Sequence, residues 1–235
     1  MRKFLCMFLG LALLIFQPAF ALAQPEIHIN IPSYTLQLFD NGQLIKEYNI
    51  AVGTPYEQTP TGNYAIFSKQ QYPTWYPGSN FTDRTPVPPG PDNPLGSRWM
   101  EYKTNYGIHG TNKGWDINYP VSGGCIRMHD KDAQELYEMV PTGTPVIITY
   151  ETLFLTEKPD GLYAKIYPDI YQRNTTSKER LLALYANYSA KYPRLVQPLP
   201  TQGEYNRVLE VCIALSAQEE LTGIVPPPPN PKQKP

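Results

Sequence analysis

The sequence predicts a mainly β fold followed by a small helical extension. Three observations carry that reading. The chain of 235 residues holds 18 tyrosines and 26 prolines, which suits short strands and ordered loops better than a helical bundle. The segment Tyr34-Thr-Leu-Gln-Leu-Phe alternates in polarity and runs into the turn residues Asp40-Asn-Gly. Beyond residue 176 the apolar residues recur instead at helical spacing.

The first 23 residues read as a signal peptide that is not part of the fold. Arg2 and Lys3 precede an apolar run from Phe4 to Phe16, and Ala21-Leu22-Ala23 supplies the small-residue cleavage pattern. The run is short for a membrane span and is broken by Gln17 and Pro18. No transmembrane anchor is therefore expected after cleavage, and export from the cytoplasm is expected.

Residues 27–52 read as a hairpin, with a second strand from Leu44 to Val52. A loop from Gly53 to Gly62 carries Thr59-Pro60-Thr61-Gly62, and Asn63–Ser68 reads as a short strand. Residues 69–98 form a long loop rich in proline and glycine. Trp75, Tyr76, Trp99 and Met100 nearby favour an ordered lid or cleft wall. Residues 99–109 read as one strand that delivers His109. After Cys125, Asp130 is placed to cap a short helix with Ala133, Leu136, Tyr137 and Val140 on one face. Pro141-Thr-Gly-Thr-Pro is a turn before a buried strand at Val146–Tyr150.

The resulting division is a β domain over 24–150, an extension over 151–225 and a proline-rich disordered tail over 226–235. The extension comprises a hairpin around Pro159-Asp-Gly and two helices, Ser177–Tyr192 and Glu204–Leu221. The second helix is read from Val208, Val211, Cys212 and Leu215.

Charge narrows the partners. The formal charge is -1, and losing the two cations Arg2 and Lys3 takes it to -3. That argues against nucleic acid, which calls for a basic face. Cys125 and Cys212 remain after cleavage, and both read as free thiols, with Cys212 on a helix face.

The chemistry concentrates in residues 106–128. His109 and Cys125 lie sixteen positions apart, each beside glycines. A thiol beside an imidazole is a nucleophile beside its base, and the glycines before the thiol leave room for backbone N–H groups to face a reacting carbonyl. His129 is a rival base near the helix start. A metal site built from Cys125, His129 and His109 lacks the usual ligand spacing, so neither metal nor cofactor is expected. Arg127 shares a face with Cys125 on an extended segment, where it either binds a substrate carboxylate or pins the loop to a backbone carbonyl. Ser122 reads as an orienter of the loop, because no nucleophile elbow surrounds it.

His109-Gly-Thr followed by Ser122-Gly-Gly-Cys125-Ile-Arg-Met resembles the signature of the L,D-transpeptidases with a YkuD-type catalytic domain. Thr59-Pro-Thr-Gly, Pro89-Gly-Pro-Asp-Asn-Pro-Leu-Gly, Tyr106-Gly-Ile-His-Gly-Thr-Asn and Gly143-Thr-Pro-Val stand in that family's order. The resemblance covers roughly residues 26–150 and implies a mainly β sandwich with the cysteine in a cleft.

It further implies action on peptidoglycan stem peptides. The thiolate attacks the third-residue carbonyl of a tetrapeptide donor, D-Ala leaves, and an amine on a neighbouring stem takes the acyl group as a 3→3 cross-link. Carbapenems are expected to acylate the same cysteine. By that resemblance Cys125 is the nucleophile and His109 the base, oriented by the backbone carbonyl of Gly110. The N–H groups of Gly124 and Cys125 are candidates for the oxyanion hole. Arg127, Ser122 and Thr111 are candidates for binding substrate or positioning loops.

Two departures stand out: Gly123 where many members have a histidine, and Ile117-Asn118 where many have Ile-Gly. Two other readings stay open. One is an L,D-carboxypeptidase using water as acceptor on the same acyl-enzyme route. The other is a non-catalytic peptidoglycan-binding protein on this fold.

Overall fold

The computed structural model describes residues 25–79, 81–196 and 208–216. The leader at 1–23 and the tail at 226–235 lie outside the described residues.

The chain begins with β1 (Glu26–Asn30), β2 (Thr35–Asp40) and β3 (Gln43–Gly53). The β2–β3 turn is the one the sequence announces: Asn41 and Gly42 both take positive φ, 53° and 72°, as a two-residue hairpin turn requires. The predicted strand at 63–68 is divided between β4 (Gly62–Ala65) and β5 (Ser68–Gln71). The predicted strand at 99–109 is a hairpin, β6 (Arg98–Lys103) and β7 (Tyr106–His109). Asn105 turns it with φ 65°, a left-handed conformation that asparagine tolerates. Then come β8 (Pro120–Ser122), β9 (Ile126–Met128), helix α1 (Asp130–Met139) and β10 (Pro145–Thr149).

These ten strands form one mixed sheet in the order β4-β10-β1-β2-β3-β9-β7-β6-β5, with β8 paired to β3. The sheet curls on itself. Although β4 and β6 are far apart in that order, Tyr64 and Tyr102 bring their rings to 5.3 Å. The sandwich-like packing thus comes from one sheet folding over a single core. Ile27, Ile29, Leu36, Ile50, Met100, Ile108, Ile126, Leu136 and Val146 from strands and helix meet there with no more than 1% exposure. Each such burial contributes about 1.5–3 kcal/mol relative to exposure.

Helix α1 buries Ala133 and Leu136 on the predicted face. Asp130 does not cap it. The N-cap residue is His129, without a side-chain capping bond. The Asp130 carboxylate instead accepts from Ser97 N–H at 2.7 Å and from Gln134 Nε2 at 2.8 Å. It is drawn away from the helix amides by a loop 33 residues earlier in the chain, while its charge still suits the helix N-terminus.

The extension has its own core and departs from the expected pair of helices. The hairpin is present as β11 (Leu153–Lys158) and β12 (Gly161–Ile166), and Ser177 caps α2 (Lys178–Tyr185) by accepting from Arg180 N–H. The second helix is absent where the chain is described: Leu209–Leu215 is a strand, β13, antiparallel to β12. Cys212 therefore lies on a strand, not a helix face, and its thiol is free. Leu162 pairs with Ala214 and Tyr163 with Cys212, so Ile213 is an extra residue at a bulge. Hydrogen bonding to the open edge of β12 outweighs the local helical spacing, because a two-stranded hairpin alone is marginal. Gly161 permits the pairing: a Cβ there would stand 2.3 Å from Ala214 O.

Candidate active site

The site is set by two adjacent parallel strands. In β7 and β9, Ile108 pairs with Ile126 and His109 with Arg127. Ile108 and Ile126 point into the core with no exposure. Alternation therefore turns His109 and Arg127 to the opposite face, with Cys125 entering the same strand one residue before Ile126. From this register the Cα atoms of His109 and Cys125 are separated by roughly 8 Å, one strand spacing across and two residues along.

His109 is buried, 3% exposed. The Trp99 ring lies 5.6 Å away, centroid to centroid. Its Nδ1 is 2.5 Å from Gly110 O. A carbonyl only accepts, so Nδ1 carries the proton and the neutral ring keeps its lone pair on Nε2. Burial pushes its pKa down to about 4. The Gly110 carbonyl opposes the shift, the nearby Arg127 charge adds to it, and the Leu95 carbonyl opposes it further.

Burial also pushes the Cys125 thiol up. The Gly107 N–H and the Arg127 charge partly oppose that rise, and Glu101 adds to it. The thiol donates to Asn105 O at 3.6 Å. At neutral pH the imidazole and the thiol consequently both rest neutral.

The loop before the cysteine is shaped by small residues. Ser122 Oγ donates to Cys125 O at 2.6 Å and accepts from Gly124 N–H at 3.1 Å. Ser122 thus closes the turn. The Gly124 amide is thereby committed to Ser122. Of the two amides read as oxyanion donors, only that of Cys125 is free of the serine hydroxyl. Gly124 is needed for its shape: φ is +104°, and a Cβ would stand 2.6 Å from Tyr106 Cε1 and 3.2 Å from Gln58 O. Gly123 is exposed, and a Cβ there meets nothing nearer than Glu57 Oε2 at 3.5 Å. Asn118 has φ 70°, so it occupies with an asparagine the left-handed position that glycine would favour.

Arg127 neither reaches a backbone carbonyl nor stands free. Its Nη1 is paired with Asp116 Oδ2 at 2.9 Å, which holds the short turn Gly114–Asp116 against β9. Thr111 is buried, and its Oγ1 accepts from Lys113 N–H at 3.0 Å. His129 is exposed, beside Gly114.

Three residues near the site carry roles the sequence did not assign. Thr59, fully buried, donates from Oγ1 to Gly124 O at 3.0 Å and accepts from Gly53 N–H at 2.8 Å. Its place in Thr59-Pro-Thr-Gly was the available signal. Asp130 packs against Gly110, where a Cβ would stand 2.1 Å from Oδ1. It so braces the residue whose carbonyl holds His109. Asn93, fully buried, donates to Pro73 O at 2.8 Å and to Val87 O at 3.1 Å. It thereby orders the long loop as a wall. That wall, with Tyr72, Ser97, Thr111, Asp130 and Gln134, encloses a cavity of about 350 Å³ next to the histidine segment.

Comparison with known proteins identifies the family of this domain. Residues 24–148 match the YkuD family, the L,D-transpeptidase catalytic domain. YkuD of Bacillus licheniformis, named as an L,D-transpeptidase, is 40% identical over 125 residues, 53% of this chain and 65% of that protein. YkuD of Bacillus subtilis is 41% identical over 124 residues, 52% of this chain and 65% of that one. ErfK/SrfK of Escherichia coli is 33% identical over 146 residues, 57% of this chain and 47% of its own length. The chain thus spans 65% of the two YkuD proteins and about half of the third.

Two outcomes follow from this geometry. A folded-state pKa near 4 for His109, against 6.5 unfolded, means the unfolded chain takes up this proton first on acidification. The stability it contributes is complete above pH 6.5, falls as pH drops from 6.5 towards 4, and levels off below. Thermal unfolding across that window should show a steeper acid loss for the wild type than for His109→Gln. Gly124→Ala should destabilise the protein by about 1–3 kcal/mol, whereas Gly123→Ala should leave its stability near wild type. Calorimetry on the two variants makes the comparison.

Proposed function

The chain belongs to the YkuD family of L,D-transpeptidase catalytic domains, and on that premise we propose that it is an exported cysteine enzyme that cross-links peptidoglycan stems. The observation that carries this reading is the placement of His109 on β7 and of Cys125 immediately before β9, its parallel neighbour, with His109 Nδ1 tied to the Gly110 carbonyl.

As Cys125 Sγ attacks the third-residue carbonyl of a tetrapeptide donor, His109 Nε2 takes the thiol proton. Both groups start neutral, so charge develops only with substrate present, as general-base chemistry in a dry site requires. The oxyanion forms beside the Cys125 amide. Collapse breaks the peptide bond, and the imidazolium returns its proton to the departing D-Ala amine. The thioester is then attacked by an acceptor amine, whose proton His109 removes. Cys125 leaves as the thiol, and a 3→3 cross-link remains. Carbapenems would acylate the same sulfur. Arg127, paired with Asp116, and Ser122 hold the loops. Export is supported by the charged start, apolar run and Ala-Leu-Ala of residues 1–23.

Mass spectrometry of muropeptides incubated with purified wild type and Cys125→Ala tests this reading. The wild type should release D-Ala and yield 3→3 dimers, and the variant should yield neither. Tripeptides without dimers would mark an L,D-carboxypeptidase. Binding without turnover in both proteins would mark a non-catalytic wall-binding role.

A further inference from the structure

A hydrogen-bond relay enters the cysteine loop from the extension, outside the matched residues 24–148. Tyr171 is 6% exposed. Its hydroxyl donates to Gly53 O at 2.8 Å and accepts from Thr59 N–H at 3.2 Å. Thr59 Oγ1 accepts from Gly53 N–H and donates to Gly124 O at 3.0 Å. Two side chains thus connect the extension to the peptide unit that leads into Cys125.

Tyr171 is itself fixed from its own side. It stacks on Tyr150, with centroids 5.3 Å apart and planes at 19°. Its N–H donates to Tyr150 OH at 2.7 Å, and Tyr150 OH donates to Asp169 Oδ1 at 2.6 Å. The same carboxylate accepts from Arg173 N–H and Thr175 N–H. Arg173 closes the strap by donating to Gln58 Oε1 at 2.7 Å. All of these groups converge on residues 53–59, the segment facing Gly124.

We propose that Tyr171 is a positioning residue for acyl transfer, acting through Thr59 to hold the Gly124–Cys125 peptide so that the Cys125 amide faces the developing oxyanion. The Gly124 carbonyl and the Cys125 N–H belong to one planar peptide unit, so fixing the carbonyl fixes the direction of the amide. An oxyanion donor contributes only when it is aimed in advance. This inference rests on the acyl-transfer reading above.

The test compares wild type with Tyr171→Phe, which keeps the stack and removes the hydroxyl, and with Thr59→Val and Thr59→Ser. Three readouts are taken: kcat and KM for D-Ala release from a tetrapeptide stem, iodoacetamide alkylation of Cys125, and amide hydrogen exchange over 120–126. Tyr171→Phe and Thr59→Val should each lower kcat roughly tenfold or more with little change in KM. Alkylation, which forms no oxyanion, should keep its wild-type rate, and exchange should quicken. The double variant should be no worse than the worse single, and Thr59→Ser should restore kcat.

Wild-type kcat and exchange in Tyr171→Phe would overturn the proposal. So would a parallel loss of kcat, alkylation and thermal midpoint, which marks mere unfolding. A wild type that turns over no stem refutes the enzymatic reading instead. The relay is then judged by exchange alone, where faster exchange in both variants supports it and unchanged exchange overturns it.

Discussion

The site depends on one pairing, that of β7 with β9. Because these strands run parallel, His109 and Cys125 reach the same face although the fifteen residues between them make their own turn and short strand. The register is held by apolar burial. Ile108 and Ile126 are opposite one another and fully buried, and a one-residue slip would send both to the other face. The placement of His109 and Cys125 is therefore a by-product of core packing at Ile108 and Ile126.

That packing has an electrostatic consequence. Sealing His109 beside Trp99 and against Gly110 removes water and lowers the imidazole pKa, and burial of the Cys125 sulfur raises that of the thiol. A pair that waits neutral and exchanges its proton as the carbonyl is attacked fits this environment better than a standing ion pair, whose charges would need solvation. Arg127 lies close enough to affect both groups, and Asp116 anchors it. The cation favours a thiolate and disfavours an imidazolium at once.

The sequence made the family legible because its signals are local. The β2–β3 hairpin declares itself through Asp40-Asn-Gly, and the candidate nucleophile and base are read from glycine-flanked motifs. What escaped was contact between distant residues. Tyr171 reaches Gly53 across 118 positions, and Asp130 reaches Ser97 across 33, and no spacing rule encodes either. The last strand was misread for a different reason. Val208, Val211, Cys212 and Leu215 mimic a helix, and the bulge at Ile213 places it and Ala214 together in the core, which erases the alternation that marks a strand. The unbroken strand read at 99–109 hid the turn at Asn105, a residue whose tolerance of positive φ was the available signal.

The assignment of Cys125 as nucleophile and His109 as its base is tested most directly by mapping a carbapenem adduct by peptide mass spectrometry in wild type, His109→Ala and His129→Ala. The adduct should lie on the peptide containing Cys125 in the wild type, form at the same rate in His129→Ala, and form far more slowly in His109→Ala that retains its fold. An adduct on Cys212, or undiminished acylation of Cys125 without His109, would contradict the account.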